Sequence, residues 1–426
     1  MDDPSDGRPG GRPVPGLDDL AWDERVALVR VDINSPIEDG HVAGSARLRE
    51  AAHSIEAIMD RNASVVVLAH QGRPGRDDFT SLEEHARIMS EEIGREIRYV
   101  PHVADEEALE QAIDVDPGEA ILLENVRQAE GELENEGPAV HAERDWVDRL
   151  AGEADAFVLD AFSAAHRSHA SIVGFPLVLP SCAGPIMERE VDALRRATGS
   201  ADPDDHRVLV LGGAKPADAL DVLEHHLEAD LADEVLTGGV LGELVLAAQG
   251  HDLGKATDGV LAELGADEQR ERTAALVDRF PDRIQAPVDV AEDRDGERFE
   301  LAVDELPAEH EIADIGPETA DLYTDRIREA DTVVLNGPMG VYETDNFGLG
   351  TRRLLDATAD AEGFTVVGGG HTVTALDRFG REPDAFGHVS LAGGALMTYL
   401  TGGSLPALEA LRESARRFAI ASPTQN

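Results

Sequence analysis

"HRVLVLGGAKPADALDVLEHH", residues 206–226, joins a short apolar run to a helical segment through a Gly-Gly turn. The run is uniformly apolar and reads as a strand buried on both faces. Pro216 fits the first position of a helix, where its fixed dihedrals help and no donor is wasted. Strand, turn and helix in that order form the unit of a parallel α/β sheet.

The same unit recurs along the chain. "RVALVRVD" (25–32), "SVVVLAHQ" (64–71), "EAILLEN" (119–125) and "DAFVLDAF" (155–162) read as buried strands. "DEVLTGG" (233–239), "DTVVLNG" (331–337) and "FTVVGGG" (364–370) repeat the theme. Segments 45–61, 80–93, 260–279 and 349–361 carry helical period between them. The alternation predicts an α/β protein of two doubly wound parallel-sheet domains, Rossmann-like in architecture. A helix within "AGPIMEREVDALRRATGSADPDD" (183–205) is expected to act as the hinge between them.

Length and composition agree with this division. A chain of 426 residues exceeds one ordinary core, and 42% hydrophobic residues suffice to fill two. The formal net charge of −49 is extreme, but no acidic run exceeds three residues. The expectation is an acid-coated folded protein suited to a cytoplasm of molar salt, where ions screen self-repulsion. Such acidity excludes a nucleic-acid footprint. Cys182 is the single cysteine, so no intramolecular disulfide can form and a reducing, cytoplasmic setting is expected. No apolar run reaches membrane-spanning length. Residues 1–16, acidic and rich in Pro and Gly, are no signal peptide and are expected to be a disordered extension.

Ligands of open parallel sheets bind beyond the carboxyl ends of the strands. In the first half those ends carry Asp32 and Asn34, His70 and Arg73, Arg127, and His166, Arg167 and His169, with Arg47 opening a helix. Such a cationic cage suits a small substrate bearing phosphate and carboxylate, which arginine grips in bidentate fashion. In the second half the ends carry glycine, as a nucleotide needing close backbone approach requires. Lys215 is one of only two lysines, the other being Lys255, within a Lys-plus-Arg total of 37. It sits just ahead of a helix N-terminus, where phosphate is favoured. The segment is no Walker A loop, and GxGxxG is absent. Glu343 is placed to accept from ribose hydroxyls.

Together "RVDINSP", "HQGRP", "LLENVR", "DAFSAAHRSHAS", "LGGAK", "DIGPET", "NGPMGVYE", "GGGHT" and "GHVS" resemble the phosphoglycerate kinase family, in a halophilic, archaeal-like form. The resemblance runs from about residue 17 to the C-terminus. It implies that residues 17–184 plus 403–426 bind 3-phosphoglycerate or 1,3-bisphosphoglycerate through Asp32, Asn34, Arg47, His70, Arg73, Arg127 and Arg167. It implies that residues 185–402 bind ATP or ADP through Gly212, Gly213, Lys215, Gly238, Asn336, Pro338, Glu343, Gly369, Gly370 and Thr372. Phosphoryl transfer by domain closure, with Lys215 and Arg47 catalytic and Mg²⁺ held mainly by nucleotide phosphates, follows from the same resemblance. A monomer is expected.

The sequence departs from the family at three places. Ala219 stands where many members carry a second lysine, and His371 where many carry an aspartate facing magnesium. Leu391 and Ala392 alter the turn in "HVSLAGGA". Imidazole is a poor ligand for a hard cation, so the metal ligands stay unassigned. Two readings remain open at this point: a working kinase, or a catalytically impaired relative that binds phosphoglycerate or nucleotide for regulation.

Overall fold

The computed structural model describes residues 14–199 and 205–420. The described chain divides into two compact units. One comprises the residues up to Asp192 and those from Ser404 on, and the other comprises Ala193–Gly403.

The first unit is built on six parallel strands. Their order is Ile97–Val100, Ala120–Leu123, Ser64–Leu68, Val26–Val31, Ala156–Asp160 and Ser181–Ala183. Val29, Val67, Leu122 and Val158 are fully buried, as strands covered on both faces require. The chain leaves Val26–Val31 toward one edge and later returns to its other side, so the topological switch falls at the end of that strand. The second unit repeats the plan with Ile284–Gln285, Glu234–Thr237, Arg207–Leu211, Thr332–Asn336, Phe364–Gly368 and His388–Ser390. Its switch falls between the ends of Arg207–Leu211 and Thr332–Asn336.

All eight expected strands form, each shorter than its apolar run. Four two- to four-residue strands at or near the sheet edges escaped the sequence, because so short a run carries no period. A three-stranded antiparallel sheet of Asp289–Arg294, Glu297–Ala302 and Glu311–Ile315 was also unforeseen. Its first hairpin turns on Asp295 and Gly296, at φ of 54° and 90°, which is a legible two-residue turn signal.

The helix expected over 260–279 is two helices, Lys255–Glu263 and Arg270–Arg279. Gly265, at φ 69°, enters the left-handed region and ends the first.

Residues 1–13 of the expected extension lie outside the described residues, but Val14 is buried and Pro15 accepts a hydrogen bond from the Ala183 N–H (2.8 Å). The expected boundary at residue 185 also moves. The helix Pro185–Thr198 is divided between the units after Asp192. Its first turn belongs with the first sheet because Met187 is buried there and its N–H donates to Asp160 (2.9 Å). The helix Pro406–Arg417 returns to the first unit, where the Ala407 N–H meets Ala165 O (3.1 Å) and Ser414 Oγ meets Leu179 O (2.9 Å).

Candidate active site

The switch point of the first sheet is occupied by Asp32. Its Oδ1 accepts from the Asn34 N–H (3.0 Å), its Oδ2 accepts from Ser163 Oγ, and Arg47 Nε lies 3.7 Å away. Burial alone would raise this carboxyl group, but His70, Arg47 and the two hydrogen bonds outweigh it and hold it ionised. Asn34 in turn accepts from the Gly72 N–H (2.8 Å), which ties the first strand-end loop to the second. Arg47 stands in the first turn of Ala46–Met59, a helix started by Ser45, whose hydroxyl accepts from the Leu48 N–H (3.3 Å).

Four arginines converge on these loops. Arg127 donates to Gly72 O, while its Nε is buried with no hydrogen-bond partner. Burial, together with the like charges of Arg30, Arg167 and Arg73, lowers it to about 10. Burial and then Arg73 lower Arg167 as well. Clustered guanidinium groups that depress one another's affinity for protons are the signature of a site awaiting an anion. That such a cluster persists in a chain of net charge −49 makes its placement selective.

Arg30 was missed by the sequence reading. It is the largest fully buried side chain, and its signal was an arginine inside an otherwise apolar strand. Its Nε donates to Ser171 Oγ (2.9 Å), and Ser171 donates to buried Glu132 through both its N–H (2.8 Å) and its hydroxyl (2.7 Å).

The histidines depart from the expected cationic cage. Burial and neighbouring arginines lower His70 well below its ordinary value and His169 to about 3. Burial and then Arg167 lower His166 too. All three are neutral at physiological pH, so the positive charge of the site is carried by arginine.

In the second unit, the loops after Arg207–Leu211 and Thr332–Asn336 pack backbone against backbone. The Gly212 N–H donates to Asn336 O (3.0 Å) and the Gly213 N–H to Pro338 O (2.7 Å). A Cβ at Gly212 would sit 2.2 Å from Pro338 O, and one at Gly337 would sit 2.3 Å from Gly212 O. These glycines are therefore demanded by loop-to-loop contact before any ligand arrives. Gly238 is likewise packed, with its N–H on Leu211 O (3.0 Å) and a Cβ position 2.6 Å from Met339 Sδ.

Two cavities open beside this knot. A polar one of about 410 Å³ is lined by Gly212, Gly213, Lys215, Asn336, Pro338, Gly369, Gly370 and Thr372. Lys215 is the exposed residue preceding the helix Pro216–Glu228, and Gly369 precedes the helix Gly370–Phe379, so two helix N-termini face the cavity. Gly393, Gly394 and Met397 also line it, none of which the sequence reading proposed. Thr372 is fully buried and its hydroxyl accepts from the Gly337 N–H (2.8 Å), a role in holding the loop.

The second cavity, about 230 Å³, is walled mainly by apolar side chains, among them Val240, Leu246, Val290 and Ile312. Glu343 lines this one, and Gly213, Ala214, Pro338 and His371 line both. Gly238 lines neither. A polar, cationic-edged cavity continuous with an apolar one matches the two chemical halves of a nucleotide. His371 is 70% exposed and its Nδ1 lies 3.7 Å from Glu343 Oε1.

Comparison with known proteins gives a consistent result. The family model described as phosphoglycerate kinase matches residues 17–403. The chain is 45% identical over 395 residues to the phosphoglycerate kinase of Methanopyrus kandleri, covering 93% of this chain and 96% of that one. It is 44% identical over 399 residues to the phosphoglycerate kinase of Halobacterium salinarum, covering 93% and 99%. The crystal structure of phosphoglycerate kinase from Pyrococcus horikoshii superimposes with a TM-score of 0.85 at 35% identity, covering 94% of this chain and 99% of that one.

Proposed function

The chain belongs to the phosphoglycerate kinase family, and we propose that its two sites carry out that family's reaction with the residues identified above. It is a phosphotransferase that moves a phosphoryl group reversibly between 1,3-bisphosphoglycerate and ADP, giving 3-phosphoglycerate and ATP. The observation that carries the residue assignment is the pairing of chemistries. One unit holds a cluster of mutually repelling arginines, and the other holds Lys215 at the mouth of a nucleotide-shaped cavity.

In the ATP-forming direction, an oxygen of the ADP terminal phosphate attacks the acyl phosphate, and the bond to the carboxyl oxygen breaks. Both the attacking and the leaving oxygen are ionised at neutral pH, so no general base is required. The protein's work is positioning and charge neutralisation. Arg73, Arg127 and Arg167 grip the phosphoglycerate, Asp32 and Asn34 order the loop that carries it, and His70 serves as a neutral donor. Arg47 and Lys215 are the catalytic cations at the phosphoryl group in flight. Gly212, Gly213, Asn336, Pro338, Gly369 and Gly370 shape the phosphate cradle, Thr372 and Gly238 hold it, and Glu343 takes the ribose hydroxyls. Transfer requires the two ligands to meet, and domain closure is the motion assigned to that step.

Magnesium fits this donor set as an ion held largely through the nucleotide phosphates. Of the carboxylates lining the polar cavity, Asp221 is bound by Arg272 (2.7 Å), whereas Asp218 is exposed and has no partner among the described residues. Asp218 would be the protein oxygen nearest in kind to what the cation prefers, and His371 would not. When bound, the ion neutralises phosphate charge.

We assign the protein to the cytoplasm as a monomer; no helix among the described residues is long and apolar enough to cross a membrane. The regulatory, non-catalytic reading is not favoured, because both the arginine cluster and Lys215 are intact. The test is 3-phosphoglycerate-dependent ADP formation from magnesium ATP in molar KCl. Turnover on the order of 1–100 s⁻¹ is expected in the wild type. Lys215→Ala, folded by circular dichroism, should lose at least about a hundredfold. A variant with most of the wild-type rate would remove Lys215 from the mechanism.

A further inference from the structure

The apolar cavity contains a group that a purely apolar base slot does not need. Glu243, in the helix Gly239–Ala248, lines it, and its carboxyl group has no hydrogen-bond or ion-pair partner among the described residues. No lysine or arginine lines this cavity. The other acids on its wall are accounted for. Asp314 is held by Arg298 (2.7 Å) and the Gly350 N–H (3.0 Å), and Glu343 lies beside His371. Glu311, on the neighbouring strand Glu311–Ile315, is the charge that acts on Glu243. The nearby cations are already engaged: Arg272 with Asp221 and Glu224, and Arg270 with Asp258 and Asp267. A half-buried, unpartnered carboxyl group facing an apolar slot is costly unless a ligand supplies its hydrogen bonds.

We propose that Glu243 is the base-selecting residue of this kinase, its carboxyl group pairing with the amino group and adjacent ring nitrogen of adenine. This rests on the reading of the cavity as the nucleotide site. Burial, reinforced by the negative charge of Glu311, pushes Glu243 up to about 8. At neutral pH it is therefore a carboxylic acid, which offers an O–H donor beside a C=O acceptor. The adenine edge, an N–H donor beside a bare ring nitrogen, is complementary to that pair. The Watson–Crick edge of guanine presents two adjacent donors and leaves the acid O–H without an acceptor. The pairing is lost above the pH at which Glu243 ionises.

The experiment measures kcat/KM for ATP and for GTP at pH 7 and pH 9 in wild type, Glu243→Gln and Glu243→Leu, with saturating 3-phosphoglycerate. The wild type should favour ATP by about tenfold or more at pH 7, a factor matching one well-made hydrogen-bond pair. That preference should shrink by pH 9. Glu243→Gln, whose amide keeps one donor and one acceptor at every pH, should retain it at both and so controls for titration of the nucleotides themselves. Glu243→Leu should lose it with the KM for 3-phosphoglycerate unchanged. Turnover with the wild-type ATP-to-GTP ratio preserved in Glu243→Leu would overturn the assignment of Glu243 alone. A folded wild type that turns over neither nucleotide would overturn the kinase reading and this one together.

Discussion

Nη2 of Arg30 lies 2.9 Å from Nδ1 of His70, inside the first sheet of the protein. A guanidinium has donors and no acceptor, so it donates, and Nδ1 must hold a lone pair. The proton of the neutral imidazole is then on Nε2. His70 enters the phosphoglycerate site as a fixed hydrogen-bond donor without charge. Burial and the Arg30 charge both lower its proton affinity, so this state persists through mildly acidic pH. The KM for 3-phosphoglycerate should accordingly show no inflection between pH 6 and 7 that disappears in His70→Gln. Such an inflection would mean that an imidazolium binds the substrate.

The glycines of the nucleotide cavity divide into two kinds, and substitution separates them. Gly337 has φ 93°, and a Cβ there would strike Gly212 O at 2.3 Å. Gly337→Ala should destabilise the protein by roughly 2–4 kcal/mol through backbone strain and overlap. Gly370 has no neighbour within 4 Å of its Cβ position and no positive φ. Gly370→Ala should change the unfolding midpoint by about 0.5 kcal/mol or less, yet raise the KM for ATP if the helix N-terminus receives phosphate. Urea denaturation beside nucleotide kinetics checks both, and equal loss of stability in the two variants would contradict the distinction.

Acid should unfold the protein partly through His226. This imidazole is buried in the helix Pro216–Glu228, donates from Nδ1 to Val222 O (3.0 Å), and has no partner for Nε2. Burial lowers it from 6.5 to about 4. Between those values the unfolded chain binds the extra proton, so stability falls as pH drops below 6.5, and the loss is complete below about 4. The full loss is roughly 3 kcal/mol. In His226→Phe, the decline in unfolding free energy from pH 7 to pH 4 should be shallower by about that amount. Parallel profiles for variant and wild type would show that His226 does not titrate on unfolding.

A net charge of −49 opposes compaction unless it is screened. Lowering KCl from molar to millimolar should lower the thermal midpoint and loosen the fold. Circular dichroism and a melting series across that range check it, and an unchanged midpoint would show that the acid coat does not depend on salt.

Much of the fold was legible because parallel strands covered on both faces leave uninterrupted apolar runs. "SVVVL" and "RVLVL" became Ser64–Leu68 and Arg207–Leu211 almost residue for residue. Strands of two to four residues, such as Ser181–Ala183, carry too few side chains to show a period, and pairing with a neighbour alone defines them. The helix expected over 260–279 failed at Gly265, where backbone conformation outweighed apolar spacing.

The residue types of the site were legible too, since Arg73, Arg127, Arg167 and Lys215 follow strand ends where a doubly wound sheet presents its ligands. Their charge states were not. His166 and His169 look cationic in sequence and are neutral in the fold, because burial among guanidinium groups is a property of the packed molecule. Arg30 looks like a strand residue and proves to orient His70. The glycines at 212 and 337 look ready for a ligand and are first needed by each other. By itself, the sequence determined the two-sheet architecture, the acid surface and the chemical inventory, all of which depend on local pattern and composition. Only the tertiary structure decided which donors face which acceptors, which groups keep their protons, and that Glu243 stands alone in an apolar slot. Those outcomes depend on distance and desolvation between residues far apart in the chain.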